Sequence, residues 1–422
     1  MYDFKKILTI AVVLSGFVST FSEAEEPDYN EANVPQYKMI DPLVMTDGTR
    51  VTDKTLWRRR RAEIQRLFEQ HVYGKTPATE PVRFELVEEN SEALDGKAVR
   101  RQIRAHFTDE PGGPGMNILI YLPAKAKGPV PIFVGLNFYG NQTICDDPAV
   151  LITQSYVRNR KQYGITNNRA TEESRGKASG RWPLDLILSR GYGLATMYCG
   201  EIEPDKKDGF NESIRALYPY SAEDSWAAVG AWAWGLSRAL DYFELDRRID
   251  EKHVVVIGHS RLGKAALWAG ACDERFAMVV SNNSGCGGAA LSKRVYGETV
   301  KRINRTFPHW FCGNFKQYNN NESALPLDQH MLLSMVAPRP LYVASAVEDR
   351  WADPRGEFLV AKAASRVYKF LGTEGLPASE MPFVNEPSHG RIGYHIRSGK
   401  HNITGYDWSQ YLDFADKNVR NP

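Results

Sequence analysis

The stretch HVVVIGHSRLGKAALWAG, residues 253–270, has the pattern of a strand, a tight turn and a helix. The β-branched run 254–257 predicts a buried parallel strand, and the Ala- and Leu-rich residues after the turn predict a helix. Ser260 lies at the apex of the turn, so its hydroxyl should stand beside a helix N-terminus and the next backbone N–H. Both groups favour the negative charge that develops on an attacked carbonyl oxygen. The pattern therefore indicates nucleophilic attack by Ser260 on a carbonyl carbon.

The turn departs from the general G-x-S-x-G pattern of nucleophile elbows. That pattern has a glycine two residues after the serine, whereas this chain has Leu262 there and Gly263 one position later. A structural turn with an incidental serine would have the same local sequence. The interpretation therefore depends on whether a base and an acid follow Ser260 in the chain.

A serine nucleophile needs a base, and the base needs an acid that orients it. In the fold class that carries such elbows, the chain order is serine, acid, histidine. The acid is expected after a predicted strand at 340–345, and the histidine is expected in the last loop. The candidate acids are Glu348, Asp349 and Asp353, and the candidate histidines are His389, His395 and His401. Chain order leaves every combination of the two sets open.

Predicted strands and helices alternate on both sides of the elbow. The strands are expected at 131–136, 192–198, 254–257, 276–281 and 340–345, and the helices at 183–189, 227–245 and 407–418. This alternation predicts a parallel sheet covered by helices on both faces. Earlier β-rich segments at 83–87, 98–107 and 116–122 predict antiparallel opening strands. A first helix is expected at 53–73, capped by Thr52 or Asp53 and ended by Gly74.

Residues 1–24 have the pattern of a secretory signal peptide. Lys5 and Lys6 precede the apolar run 7–21, and Ser22-Glu23-Ala24 is a small-x-small cleavage site. No cysteine directly follows the apolar run, which argues against a lipoprotein anchor. No later segment is long and apolar enough to span a bilayer. We therefore expect an exported protein, periplasmic or secreted, without a membrane anchor.

The rest of the chain, 25–422, predicts a single catalytic domain that begins with an extended arm at 25–42. About forty polar residues at 141–181 predict a functional loop beside the active site. The net charge of +2 argues against a nucleic-acid binder. The five cysteines lack CxxC spacing, which argues against a disulfide framework or a metal site and leaves open a bridge between Cys286 and Cys312.

Several segments together resemble carbohydrate esterase family fifteen, the glucuronoyl esterases. GHSRLGK (258–264) is similar to the family's G-x-S-R-x-G-K elbow, which accounts for the displaced glycine. The resemblance continues in GLNFYGNQ (135–142), RWPLDLILSRGYGLAT (181–196), NSGCGGAA (283–290), HWFCGNF (309–315), APRPLYVASAVEDRWADP (337–354) and GYHIRSGKH (393–401). It covers the chain from about residue 131 to the C-terminus.

The resemblance implies a catalytic set. The family's serine maps to Ser260 and its histidine to His401. Fungal members carry the acid as a glutamate in an E-S-G-x-G-G segment, where this chain has Asn283. An amide cannot carry the charge that stabilises an imidazolium. The acid is therefore expected at the other site, which bacterial members use and which maps to Asp349.

The resemblance also implies roles around the nucleophile. Arg261 follows the nucleophile directly. Its backbone N–H is expected at the oxyanion site, and its guanidinium can add positive charge there. Lys264 lies one helical turn after Ser260 and can reach a sugar hydroxyl. Glu298 resembles the family's acceptor for sugar hydroxyls, and Trp351 resembles the tryptophan that lines the glucuronoyl pocket.

The implied protein is a serine esterase with the α/β-hydrolase fold, a three-layer sandwich around a mostly parallel sheet. Its implied substrate is the ester between a 4-O-methyl-glucuronoyl group of xylan and an alcohol of lignin. It needs no metal or organic cofactor and is expected to be a monomer. Two alternatives are another exported serine hydrolase, such as an acetyl-xylan esterase or a peptidase, and a non-catalytic carbohydrate-binding protein.

Overall fold

The computed structural model describes residues 26–110, 112–219 and 222–420. The predicted signal peptide, residues 1–24, lies outside these ranges. Within them, no helix combines the length and the apolar character that crossing a membrane requires.

The strands lie mostly where the sequence predicts them. They are β1 (Arg83–Glu92), β2 (Ala98–His106), β3 (Gly115–Pro123), β4 (Val130–Asn137), β5 (Ile165–Thr166), β6 (Arg169–Ala170), β7 (Gly193–Tyr198), β8 (Ile249–His259), β9 (Met278–Asn282), β10 (Leu341–Ala346), β11 (Ser388–His389) and β12 (Ile392–Arg397). All except the β5–β6 hairpin form one ten-stranded sheet, in the order β1-β2-β3-β7-β4-β8-β9-β10-β12-β11.

The six strands from β7 to β12 in this order are parallel to their neighbours. The pairs β1–β2, β2–β3 and β3–β7 are antiparallel, and β11 pairs antiparallel with β12. The predicted parallel sheet with antiparallel opening strands is therefore confirmed. Strand β8 lies between β4 and β9 near the middle of the sheet. Its C-terminal end is at the edge where parallel α/β sheets bind their ligands.

Ten α-helices in the described residues connect these strands. They are α1 (Lys54–Phe68), α2 (Ala93–Gly96), α3 (Leu184–Ser189), α4 (Cys199–Ile202), α5 (Ala228–Phe243), α6 (Arg261–Cys272), α7 (Val300–Thr306), α8 (Gln329–Ser334), α9 (Pro354–Phe370) and α10 (Gly405–Ala415).

The helices cover both faces of the sheet. Along β8, Val254 and Val256 belong to one apolar cluster, and Val255 and Ile257 belong to another. Since successive strand residues point to opposite faces, the two clusters lie on opposite sides of the sheet. Helices α1, α5, α6, α8 and α9 contribute to the first cluster, and α3 and α10 contribute to the second. The predicted three-layer sandwich is confirmed.

Helix α1 begins and ends as its sequence predicts. The Asp53 carboxylate accepts the N–H groups of Thr55 and Leu56 at 2.8 and 2.9 Å, so Asp53 rather than Thr52 is the cap. A π-helical turn, Glu69–Tyr73, follows α1, and Gly74 ends it with a φ of 83°.

Two elements near the predicted site are not among those expected from the sequence. Helix α9 follows the loop that carries Asp349, and β12 carries His395. His395 therefore lies within the sheet, whereas His401 lies in the loop after β12, where the catalytic histidine is expected. All five cysteines are unpaired thiols, so the bridge between Cys286 and Cys312 is not formed.

The N-terminal arm is held against the body of the protein. From residue 26 to 42 its regular helical structure is limited to one 3-10 turn. The Glu31 carboxylate is 2.7 Å from the Arg294 guanidinium, and the Gly297 N–H donates to the Asp28 carbonyl oxygen at 2.9 Å. The arm thus supports the segment that leads into Glu298.

The polar segment 141–181 lies beside the loop that carries His401. It contains short 3-10 turns and the β5–β6 hairpin. Arg181 Nε donates to Asn402 Oδ1 at 3.0 Å, and the Trp408 indole N–H donates to the Arg181 carbonyl at 2.8 Å. These contacts place the end of the segment at the carboxyl edge of the sheet.

Candidate active site

The turn between β8 and α6 has the geometry of a nucleophile elbow. Ser260 has a φ of 58° and a ψ of −132°, a conformation that residues other than glycine rarely adopt. A Cβ at position 258 would lie 2.0 Å from the Leu262 carbonyl oxygen, so only glycine fits there. A Cβ at position 263 would lie 3.0 Å from both the Gly258 oxygen and Ser284 Cβ. Close packing therefore favours the displaced glycine, and the strained turn presents the serine at the edge of the sheet.

His401 and Asp349 meet beside this elbow. His401 Nδ1 is 2.5 Å from Asp349 Oδ2. The Asp349 side chain is 4% exposed and the His401 side chain is 39% exposed. The His401 ring also packs on His259, the residue before Ser260, with 4.6 Å between ring centroids. With Nδ1 held by a carboxylate, Nε2 is the nitrogen that can take a proton.

The other two candidate acids have different surroundings. Asp353 Oδ2 accepts a hydrogen bond from Arg294 Nε at 2.8 Å, and its Oδ1 caps α9 by accepting the Gly356 N–H at 2.9 Å. Glu348 is exposed. Of the three candidates, Asp349 is the one that contacts a candidate histidine.

The other two candidate histidines are bound to a core tyrosine. His395 is fully buried, with Nδ1 3.0 Å from the Tyr342 hydroxyl and Nε2 2.9 Å from Asp407 Oδ1. His389 Nε2 is 3.0 Å from the same hydroxyl. Burial lowers the pKa of His395 although the Asp407 carboxylate acts to raise it. Both ring nitrogens of His395 are engaged, which leaves neither free for a substrate.

Asn283, the residue that departs from the fungal pattern, contacts the acid directly. Its Nδ2 donates to Asp349 Oδ2 at 2.8 Å, so the oxygen that faces His401 accepts a second hydrogen bond. Its backbone has a φ of 47°, and its N–H donates to the Ala344 carbonyl at 2.7 Å. An amide at this position can hold a neighbouring carboxylate, whereas a second carboxylate would repel it.

A partly buried carboxylate, Asp205, fixes the Arg261 guanidinium. Arg261 Nε is 2.9 Å from Asp205 Oδ2, and its Cζ is 4.5 Å from the Phe138 ring centroid. Asp205 Oδ1 also lies 2.9 Å from His309 Nε2 and accepts the Trp310 indole N–H at 2.8 Å. Burial acts to raise the pKa of Asp205, but Arg261 and these hydrogen bonds hold the pKa well below its usual range. Asp205 therefore stays ionised and orients the guanidinium beside the elbow.

Lys264 and Glu298 form a buried pair near the nucleophile. The side chain of Lys264 is 3% exposed, and its Nζ lies 3.6 Å from Glu298 Oε2. Nζ also donates to the carbonyl oxygens of Ser284 and Cys286, both at 2.5 Å. Burial raises the pKa of Glu298 although Lys264 acts to lower it. The structure thus brings together two residues expected to bind the sugar.

Trp351 adjoins the same pair. It lies in the 3-10 turn Arg350–Ala352, two residues after Asp349, and is 38% exposed. Its carbonyl oxygen accepts the Glu298 N–H at 3.1 Å. The Trp351 side chain acts to lower the pKa of the Glu298 carboxyl. Lys264, Glu298 and Trp351 therefore form one cluster.

Glu357 on α9 is a buried acid that the sequence analysis does not identify. Its Oε1 accepts the N–H groups of Ser284 and Gly285 at 2.8 and 3.0 Å, and its Oε2 accepts the Ser345 hydroxyl at 2.6 Å. Burial, with a contribution from Asp349, raises the pKa of Glu357 to about 8. The carboxyl thus ties the loop after β9 to β10. The sequence feature that could have identified Glu357 is its position on the apolar face of a helix, in line with Ala361 and Ala364, which are buried.

Asp205 is the second site residue that sequence reasoning missed. It lies in the run EIEPDKKD with five other charged residues, and nothing in this local pattern distinguishes it. No group of three or more His, Cys, Asp or Glu side chains in the described ranges is arranged to hold a metal ion.

The sheet and the strained serine elbow at its carboxyl edge define the class of the protein, a serine hydrolase with the α/β-hydrolase fold. A family model for fungal glucuronyl esterases matches residues 196–372. Over 399 residues the chain is 52% identical to carbohydrate esterase MZ0003 from an unknown prokaryotic organism, and the match covers 93% of this chain and 92% of that relative.

Two solved structures are also similar. A promiscuous CE15 esterase from a marine bacterial metagenome is 51% identical with a TM-score of 0.88, and the match covers 93% of this chain and 100% of that structure. The glucuronoyl esterase from Solibacter usitatus is 46% identical with a TM-score of 0.87, and the match covers 92% of this chain and 99% of that structure. The chain belongs to carbohydrate esterase family 15, the glucuronoyl esterase family, and is an ester hydrolase. The resemblance and the α/β-hydrolase fold predicted from the sequence are confirmed.

Proposed function

We propose that this enzyme hydrolyses the ester between a 4-O-methyl-glucuronoyl group of xylan and an alcohol of lignin. The observation that carries the proposal is the 2.5 Å contact between His401 and Asp349 beside the strained elbow of Ser260. The similarity to the Solibacter glucuronoyl esterase supports a glucuronoyl ester as the substrate.

In the proposed reaction, Ser260 Oγ attacks the C6 carbonyl carbon of the glucuronoyl ester. His401 Nε2 takes the hydroxyl proton, and Asp349 stabilises the imidazolium that forms. His401 then gives this proton to the leaving alcohol, and Ser260 carries the glucuronoyl group as an ester. Water, activated by His401, attacks that ester and releases glucuronate and the free serine.

Charge on the tetrahedral intermediate would be stabilised at the start of α6. The Arg261 N–H is the first of the helix and has no partner within it. Asp205 holds the Arg261 guanidinium nearby, which adds positive charge. Preorganised donors of this kind contribute strongly because they need not reorient as the charge develops.

The glucuronoyl ring would bind against Lys264, Glu298 and Trp351. The exposed indole of Trp351 offers an apolar face for the ring. Glu298 offers oxygens to sugar hydroxyls. Lys264 is nearly buried and bonded to two carbonyl oxygens, which favours a role in holding Glu298 and the loop after β9 in place.

Residues 25–422 would form one catalytic domain. The enzyme would be exported by the predicted signal peptide 1–24, to the periplasm or the medium, and would act as a monomer on the polymer. Neither a nucleic acid nor a cofactor is a partner in this proposal.

Comparison of substrates tests the proposal. The purified enzyme should hydrolyse methyl and benzyl glucuronate with a kcat/KM well above that for acetylated xylan, 4-nitrophenyl acetate or a peptide. The similarity to an esterase described as promiscuous makes the acetyl ester the critical comparison. A preference for the acetyl ester would contradict the proposal in favour of an acetyl esterase. The absence of any turnover and of any labelling by a serine-directed phosphonate would indicate a carbohydrate-binding protein.

A further inference from the structure

A cavity of about 690 Å³ opens beside His401, outside the region assigned to the glucuronoyl ring. It lies between the segment 141–181 and the loop that follows β12. The side chains that line it and matter here are Tyr163, Lys177, Arg181, Arg397, Lys400 and His401. We call it the basic pocket. None of the three residues proposed to bind the sugar lines it.

The basic pocket contains cations without matching carboxylates. No Asp or Glu is among its lining residues. Arg397 is neutralised by Asp407, which lies 2.8 Å away and is fully buried. Lys177 and Lys400 are both exposed, and neither ammonium has a hydrogen bond or an ion pair with any residue that the structure describes. Two lysine charges are therefore available at the mouth of the pocket.

Arg181 adds a third positive charge on the inner side. Its Nε donates to the neutral amide of Asn402 at 3.0 Å. Its Cζ is 5.6 Å from the Phe138 ring centroid, and the Arg261 Cζ is 4.5 Å from the same centroid. The Phe138 ring thus connects the basic pocket to the proposed oxyanion site. The pocket therefore adjoins His401, and Glu298 is not among its lining residues.

The reacting group itself offers no anion to this pocket. The carboxyl group of the glucuronoyl ring is an uncharged ester until hydrolysis. A charge that Lys177, Lys400 and Arg181 could bind must lie elsewhere on the substrate. The Tyr163 ring lines the pocket and stacks on Tyr139 with 4.2 Å between ring centroids, so it gives the wall an aromatic surface against which a ring can pack.

We propose that the basic pocket binds a carboxylate carried by the part of the substrate outside the reacting glucuronoyl ring. This inference rests on the proposed function and names a feature of its substrate. The carboxylate belongs either to the leaving alcohol or to a second, unesterified uronic acid of the saccharide. An exposed ion pair contributes only a small binding free energy. We therefore expect the pocket to change the enzyme's preference among esters rather than to decide whether it is active.

Three esters test the proposal. The first is benzyl glucuronate, the second is 4-carboxybenzyl glucuronate, and the third is a benzyl ester on an oligosaccharide with a second, free glucuronate. For each charged ester, the measured quantity is the ratio of its kcat/KM to that of benzyl glucuronate. The double variant Lys177→Gln/Lys400→Gln should lower this ratio about five-fold for at least one charged ester. Raising the salt concentration from about 0.05 M to about 0.5 M should reduce the wild-type preference for the charged ester over benzyl glucuronate, because salt screens the lysine charges.

The matched control is Lys127→Gln/Lys252→Gln, which also removes two charges, from exposed lysines just before β4 and near the start of β8, at the opposite end of these parallel strands from Ser260. It should leave both ratios unchanged. A fall with the carboxybenzyl ester places the anion on the alcohol, and a fall with the oligosaccharide places it on the polymer. Unchanged ratios for both charged esters in an active enzyme would overturn the basic pocket alone. Failure of the wild type to hydrolyse benzyl glucuronate would overturn the proposed function as well.

Discussion

Two pairs of a histidine and an aspartate lie at the same end of this molecule. In one, His401 Nδ1 is 2.5 Å from Asp349, and in the other, His395 Nε2 is 2.9 Å from Asp407. The side chains of the first pair are 39% and 4% exposed, whereas both side chains of the second are fully buried. A short contact between a histidine and a carboxylate therefore does not by itself identify a catalytic base.

The two pairs differ in the second ring nitrogen of the histidine, the one that does not contact the aspartate. The second nitrogen of His395 is bonded to the Tyr342 hydroxyl. For His401, the contact with Asp349 is the one hydrogen bond of the ring to the described residues. A general base needs a nitrogen within reach of the proton that it accepts. Only the half-exposed ring meets this requirement.

The carboxylates differ in the same way. Asp407 also accepts Arg397 Nε at 2.8 Å and the Thr404 N–H at 2.7 Å, so it joins β12 to the start of α10. Asp349 has one other side-chain partner in the described structure, the Asn283 amide. One carboxylate connects secondary-structure elements, and the other is held facing a ring at the surface.

Replacing the histidine of each pair should give the largest difference in effect between the two pairs. His401→Ala should lower kcat by about four to six orders of magnitude, as loss of a base does in other serine hydrolases. Its free energy of unfolding should change by less than about 1 kcal/mol because the side chain is exposed. Steady-state kinetics and urea unfolding measure both. His389→Ala is the control, and it should retain activity within about ten-fold.

Asp349→Asn should lower kcat by about three to four orders of magnitude, because the amide cannot stabilise the imidazolium. Asp353→Asn and Glu348→Gln should each cost far less, since neither side chain contacts His401. Asn283→Glu on the Asp349→Asn background should restore part of the rate, because the Asn283 side chain contacts the Asp349 oxygen that faces His401. Equal losses in Asp349→Asn and Asp353→Asn would contradict the assignment of the acid.

His395→Ala should act on stability instead. Breaking a buried pair should lower the free energy of unfolding by about 3 kcal/mol. The folded fraction should keep a kcat near that of the wild type, because His395 has no free nitrogen for the substrate. Equilibrium unfolding and kcat per folded enzyme are the measurements. A folded His395→Ala enzyme without activity would show that the comparison of the two pairs is wrong.

Glu357 predicts a smaller effect that depends on pH. Burial raises its folded-state pKa to about 8, above its ordinary value of 4.5. The stability from its neutral form is therefore complete below about pH 4.5 and is lost as the pH rises towards about 8. Glu357→Gln keeps a neutral side chain, so its unfolding free energy should fall less between about pH 5 and about pH 8, by about 1–3 kcal/mol. Parallel pH profiles for variant and wild type would contradict this origin.

Local patterns predicted most of the architecture. The β-branched run before Ser260 and the Ala-rich run after it are sufficient to predict an elbow, because strand, turn and helix are adjacent in sequence. The same holds for α1, which the Asp53 cap begins and Gly74 ends. The choice of Asp349 and His401 from three acids and three histidines came from resemblance to a family, since chain order does not discriminate between them.

Long-range contacts explain what the sequence did not predict. Glu357 lies 73 residues from Ser284, whose N–H it accepts, and Asp205 lies 104 residues from His309. No local pattern identifies such partners. The same limit applies to Asn283: its sequence shows that a carboxylate is missing, but only the fold shows that its amide holds Asp349.

The rate at which a fluorophosphonate labels the enzyme tests the central claim most directly. Labelling requires an activated serine but no particular sugar, so it isolates Ser260, His401 and Asp349 from substrate recognition. Peptide mapping of the wild type should place the label on Ser260. The labelling rate should fall at least about a thousand-fold in His401→Ala and stay near wild type in His389→Ala. A label on another residue, or an undiminished rate in His401→Ala, would contradict the account.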